Sequence, residues 1–173
     1  MKTLRVAFVL LACTISSSLK AQWSAEAQLA GSNFLGASLN LNYSLSISAN
    51  GDHKLTPTIG LGLSSNEWMP TSRMITHAGL NYSYKRYGIG VEASQFGPLF
   101  PKDGVAYDNE LIVFPNINYL IVDRDMWYLK ASIGAYFAFS ELDGIDDKPT
   151  PTLSFEGDVI PGAGLSVGIK LFK

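Results

Sequence analysis

The chain has 173 residues, a length that fits one domain, and a formal net charge of −2. Charged residues make up only 16% of it, against about 25% in ordinary soluble proteins, so an ordinary water-facing surface is disfavoured. No basic run and no nucleic-acid motif occurs, which argues against DNA or RNA as a partner.

The chain opens as an export signal. Lys2 and Arg5 precede an apolar run from Val6 to about Ile15, too short to span a bilayer, and a small-residue cleavage site follows at Ala21-Gln22. Leu19 stands at the −3 position, where Ala would be preferred. The expected division is therefore a signal peptide at 1–21 and one domain at 22–173. Removing the signal leaves ten Lys and Arg against fifteen Asp and Glu, a net charge of −5. Cys13, the only cysteine, follows Leu10-Leu11-Ala12, which resembles a lipoprotein cleavage box. Cleavage there would leave an unusually short apolar run, so loss of Cys13 with the signal is preferred over a lipid anchor. In both cases the mature body has no disulfide.

Beyond the signal no stretch approaches the ~18 apolar residues of a membrane helix. Strands that cross a membrane need only ~9–11 residues, with apolar side chains on one face alone. Eight such alternating segments can be read. The first sets Trp23, Ala25, Ala27 and Leu29 against Ser24, Glu26 and Gln28, and Gly31-Ser32-Asn33 reads as a tight turn. The second is the longest clean alternation, with Leu35, Ala37, Leu39, Leu41, Tyr43, Leu45 and Ile47 on one phase. Gly, Ser and Asn hold the other phase, and Asn50-Gly51-Asp52 ends the segment.

In the third, Leu55, Pro57, Ile59, Leu61 and Leu63 face away from Thr56, Thr58, Gly60 and Gly62; Pro57 predicts a bulge or a strand end. After a loop at 66–73, the fourth has Thr76, Ala78, Leu80, Tyr82 and Tyr84 opposite His77, Gly79, Asn81 and Ser83, and Lys85-Arg86 turns it. The fifth sets Tyr87, Ile89, Val91 and Ala93 against Gly88, Gly90, Glu92 and Ser94, followed by a longer loop at 96–108. The sixth offers Leu111, Val113, Ile117 and Tyr119, with Ile112 and Phe114 blurring the pattern, and turns at Asp123-Arg124-Asp125. The seventh runs Trp127, Leu129, Ala131, Ile133, Ala135, Phe137 and Phe139 against Lys130, Ser132, Gly134 and Tyr136. A long acidic loop spans 141–157. The last segment sets Val159, Ala163, Leu165, Val167, Ile169 and Leu171 against Gly162, Gly164, Ser166, Gly168 and Lys170.

Turns after strands two, four and six are short and those after three, five and seven are long, as in membrane barrels with short periplasmic turns and longer external loops. The polar phase is mostly Ser, Thr, Asn and Gly, which suits a narrow interior better than a water-facing sheet. Its few charges, Glu26 and Glu92 against Lys130, Lys170 and Lys54, have both signs and would have to pair inside a closed barrel. Aromatics of the apolar phase gather at the inferred periplasmic strand ends: Trp23, Tyr82, Tyr84, Tyr87, Tyr119 and Trp127, the pattern of an aromatic girdle. The expected fold is all-β, an eight-stranded antiparallel up-and-down transmembrane β-barrel. Its competitor is a soluble, lipocalin-like periplasmic barrel that binds a ligand, with the two faces exchanged.

In this pattern the chain resembles the small eight-stranded outer-membrane barrels of Gram-negative bacteria, broadly OmpA/OmpX-type. Its ending, PGAGLSVGIKLF, is similar to the closing strand that such proteins present to the barrel-assembly machinery. That signal usually ends on an in-phase aromatic; here Leu171 holds the phase, Phe172 falls out of it and Lys173 follows. The resemblance implies an outer-membrane location, with lipid and lipopolysaccharide and the assembly machinery as partners, and a monomer.

Eight strands leave an interior that side chains can fill, so a porin-like open pore is not expected. Glu26, Glu92, Lys130 and Lys170 read as a structural salt-bridge plug, with a narrow path past them as the alternative. Some barrels of this size modify lipids, which directs attention to His53, beside Asp52, and His77, with Ser83 and Glu92 on nearby polar phases. No motif spacing links them, so His77 reads as a lumen hydrogen-bonder and no enzyme, metal or cofactor is expected. Asp143, Asp146 and Asp147 carry oxygen ligands without the spacing of a dedicated Ca²⁺ site. The expected function is structural or adhesive, with a lipid-modifying barrel enzyme as the rival.

Overall fold

The computed structural model describes residues 21–34, 36–48, 50–64, 73–98, 109–141 and 160–172. The export signal with Cys13, Lys173, the loops within 65–72 and 99–108, and the acidic loop over 142–157 lie outside the described residues. Eight strands run in order: β1 (Ala21–Ala30), β2 (Ala37–Ser46), β3 (His53–Leu63), β4 (Arg73–Tyr84), β5 (Tyr87–Pro98), β6 (Asn109–Asp123), β7 (Trp127–Glu141) and β8 (Ile160–Phe172). Each pairs antiparallel with its sequence neighbours, and β8 returns to β1 to close a barrel. The expected up-and-down, eight-stranded, all-β architecture is the observed one.

Closure forces period-two alternation to mean inside and outside. Leu39, Ile59 and Ile133 are 73%, 64% and 58% exposed on the outer wall, while Glu26, Asn40 and Ser132 on the other phase are 5% exposed or less. The apolar phase points out and the polar phase points in.

Residues 47–52, 85–86 and 124–126 join strands at one end, the short-turn end, where both β1 and β8 also terminate. Asn50-Gly51-Asp52 turns as its composition predicts: Gly51 has φ of 74° and the Asn50 amide donates to Asp52 Oδ2 at 2.7 Å. Lys85 takes φ of 54° in the two-residue turn between β4 and β5, the left-handed geometry such hairpins need.

Three local expectations change. Pro57 makes neither a bulge nor a strand end. β3 keeps its register against β4 straight through Pro57↔Leu80, and the β2 ladder lapses only between Asn42↔Thr58 and Leu45↔Leu55, with no shift in register. The missing N–H removes a rung but leaves the outward ring position intact. The second change lies in β6, where Ile112 and Phe114 do not blur the alternation. They obey it and point inward, both within 1% of full burial.

The third concerns Gly31-Ser32-Asn33, which is no simple hairpin turn. It is a 3-10 turn folded into the lumen, with Ser32 and Asn33 fully buried. Ala30 and Phe34 flank it with φ of 55° and 56°, strained for residues with a Cβ. Buried hydrogen bonds hold this plug: Ser94 Oγ donates to Ser32 Oγ at 3.0 Å, and Asn33 Nδ2 donates to Ser38 Oγ at 2.8 Å.

Around the plug the lumen is apolar. Ile75, Phe96, Ile112, Phe114 and Tyr136 form a buried cluster, joined by Phe34 and Ile160. Phe114 stacks on Tyr136 with centroids 5.0 Å apart, and Phe34 meets Tyr136 edge-on at 5.4 Å. The interior is therefore polar in its short-turn half, and in the other half hydrocarbon surrounds the hydrogen-bonded plug. The Phe114→Ala variant is expected to lose about 3–5 kcal/mol of stability, read as a lower urea midpoint for unfolding of the barrel in detergent micelles.

Candidate functional site: the polar half of the lumen

The polar half is built by inward positions of every strand. Glu26 on β1, Asn42 on β2 and Tyr128 and Lys130 on β7 converge because closure brings β7, β8, β1 and β2 side by side. Lys130 Nζ lies 3.0 Å from Glu26 Oε2, and Tyr128 donates its hydroxyl to the same oxygen at 2.7 Å. Asn42 Nδ2 donates to Tyr128 at 2.9 Å and takes in turn an acceptor's role at Oδ1 for Thr58 at 2.7 Å. Tyr128 finds room across Gly168 of β8, where any Cβ would fall 2.1 Å from its ring. A buried carboxylate with a lysine and a phenol on it is compensated; one alone would not be.

A second chain of bonds leads away from this pair. Asn40 Nδ2 donates to Gln28 Oε1, and Gln28 Nε2 donates to Glu92 Oε2, both at 2.8 Å. Farther in, His77 Nδ1 sits 2.9 Å from Ser32 Oγ and 3.2 Å from Ser94 Oγ, under the plug. Nearer the short turns, Asn118 Nδ2 donates to Asn81 Oδ1 at 2.7 Å.

The four charges expected to share one network divide into three groups. Glu26 and Lys130 form the buried ion pair. Glu92 bonds Gln28 instead. Lys170 is not joined to either: it reaches Asp123 Oδ1 and the carbonyl of Arg124, both at 2.6 Å, at the short-turn end. Position along the strand explains the split, since Lys170 sits next to the end of β8 while Glu26 pairs in register with Gly168.

Composition and phase could have marked Tyr128, two residues from Lys130 on the same inward phase. Nothing in the sequence ties Asp123, a turn residue, to Lys170, or Ser32 and Ser94 to His77. Ser83 stands apart from the His77 bonds, on the rim of the polar cavity.

That cavity, about 90 Å³, lies between these networks and is lined at its short-turn end by Lys54, Arg86, Asp123 and Lys170. The plug and the apolar cluster lie beyond His77 at its other end. Among the described residues, the plug and the apolar cluster bound the cavity at that end.

The six aromatics of the presumed ring all come near the short-turn end of the outer wall. Trp23 packs on Tyr43 at 4.6 Å between centroids, and Tyr87 on Tyr119 at 5.1 Å. Tyr82 and Tyr84 flank His53, whose Nδ1 is 2.7 Å from the Tyr82 hydroxyl, and Trp127 stands 42% exposed. Tyr43 and His53 therefore extend the aromatic group, and His53 has no place in the lumen.

Among the described residues no group of three or more His, Cys, Asp or Glu is placed to hold a metal ion. Comparison of the chain with protein-family models, curated proteins and solved structures gives no match.

Removing Lys130 while keeping Glu26 strands a buried carboxylate. Lys130→Met is expected to cost about 3–5 kcal/mol, and adding Glu26→Gln to it should restore most of that loss. Urea titration of the two single variants and the double variant in micelles measures the coupling.

Proposed function

We propose that the protein is an integral outer-membrane β-barrel, exported by its N-terminal signal, monomeric, with a structural or surface-interaction role rather than a catalytic one. The observation that carries this reading is the inverted burial. A wall bearing Leu39, Ile59, Leu61, Ile89, Ile117 and Ile133, each more than half exposed, surrounds a polar interior. In water such a band far exceeds the few hundred Å² of apolar patch a soluble monomer carries; in a bilayer it meets hydrocarbon. Strands of 10 to 15 residues suffice to cross, and the aromatic ring at the short-turn end suits the headgroup level.

The soluble alternative asks for water on this outer wall and a ligand in an apolar calyx, and the centre of this lumen holds ions and amides instead. The enzyme alternative rests on His77, which lies 4% exposed beneath the plug with two serine hydroxyls on one nitrogen. The closed ladder stands between it and a lipid acyl group outside the wall. Lipid, lipopolysaccharide and the barrel-assembly machinery are the partners this reading implies.

Cell fractionation tests the location: the protein should need detergent for extraction from the outer-membrane fraction and migrate faster in gels unboiled than boiled. Recovery in a detergent-free periplasmic extract would overturn the reading. Leu41→Lys, on the outer wall, should destabilise the membrane-inserted barrel by about 2–4 kcal/mol. Asn50→Lys, which loses an exposed turn hydrogen bond, should cost less, about 1 kcal/mol, as judged by the folded fraction in lipid vesicles.

A further inference from the structure

At the inner end of the polar cavity stand a ring nitrogen without a partner and a carboxylate with one oxygen unbonded among the described residues. His77 and Glu92 are inward neighbours on β4 and β5, since His77 pairs with Ser94 and Gly79 pairs with Glu92. Both border the space left by Gly79: a Cβ there would lie 3.2 Å from Glu92 Cγ and 3.7 Å from His77 Nε2. His77 Nε2 is buried and has no hydrogen-bond partner among the described residues.

His77 Nδ1 meets both Ser32 Oγ and Ser94 Oγ, and whether it donates or accepts there follows the tautomer. At Glu92, Oε2 accepts from Gln28, and Oε1 takes no donor among the described residues. Glu92 makes no ion pair there either, because Lys130 is bonded to Glu26. A carboxylate oxygen without a donor, beside an unpartnered ring nitrogen, calls for a donor with positive charge.

The mouth has the opposite demand. Lys54 and Arg86 line it and make no ion pair among the described residues, while Lys170 is already held by Asp123. The volume between the two ends holds roughly six to nine waters, enough for a short unbranched chain.

We propose that this pocket binds a small ω-amino acid or similar zwitterion, entered from the short-turn end. Its primary ammonium donates to Glu92 beside His77 Nε2, and its carboxylate rests against Lys54 and Arg86. The site lies inside the barrel and does not depend on where the barrel resides.

Ligand-observed NMR on the folded barrel in detergent micelles tests it, with 6-aminohexanoate as probe and butylamine and hexanoate as truncated controls. The probe should bind saturably and more tightly than either control. Glu92→Gln should weaken it about tenfold or more, the loss of one charge-assisted hydrogen bond. Gly79→Ala, which keeps the carboxylate but fills the slot, should do likewise. Lys54→Gln with Arg86→Gln should weaken the probe and leave butylamine unchanged. Gel mobility of unboiled samples confirms that each variant is folded. Absence of saturable binding, equal binding by the Glu92→Gln barrel, or binding of butylamine with the probe excluded each overturns the proposal.

Discussion

Closure of the ladder between β1 and β8 is the constraint on which everything else rests. From Ser24↔Lys170 to Ala30↔Gly164 the first and last strands share one register, so no strand has a free edge. A closed ring of eight strands is narrow, and every second side chain must enter it. That is why the inward phase is Ser, Asn and Gly for most of its length, and why its ions and most of its amides find partners on other strands. Glu26 meets residues 102 and 104 positions away.

Within that ring the two halves of the lumen solve different problems. Near the short turns, polar groups fill the space and satisfy one another around a small cavity. Beyond His77 the same inward phase changes to Ile75, Phe96, Ile112, Phe114 and Tyr136, and the first strand connection bends in to complete the seal. Hydrocarbon fills this half without demanding partners, and the plug's Ser32 and Asn33 side chains find theirs in His77, Ser94 and Ser38. The strain at Ala30 and Phe34 is tolerated because the plug is fixed by buried serine and asparagine bonds on one side and aromatic contacts on the other.

Strand number, strand order and the orientation of the faces were legible because they follow from period two, turn residues and the poverty of charge. The strand ends agree to within a few residues: β3 starts at His53, two residues before Leu55, and β8 at Ile160, one after Val159. What resisted reading was whatever depends on position along the barrel axis. Lys170 and Glu26 share a phase, yet the axis separates them and gives Lys170 to Asp123. Ile112 and Phe114 looked like noise in β6 because an inward apolar residue is expected only where the lumen changes character, and no local signal marks that level. A six-residue connection at 31–36 has the composition of a turn whether it points outward or in. Register also revises the reading of the chain's end. An irregularity between Trp23 and Ser24 leaves Leu171 as an extra residue and sets Phe172 opposite Trp23, so an aromatic does occupy the last in-register position.

The inward plug also has a temporal meaning. Ser32 and Asn33 belong to the first hairpin, but their side-chain partners His77 and Ser94 arrive 45 to 62 residues later. The strand pairing of the first hairpin is local, whereas the buried contacts of its connection exist only once β4 to β7 have joined. Such distant pairing is slow to form because the chain between must first be ordered. The plug is thus an early-made segment that matures late, and its burial reports that the remainder of the barrel has arrived.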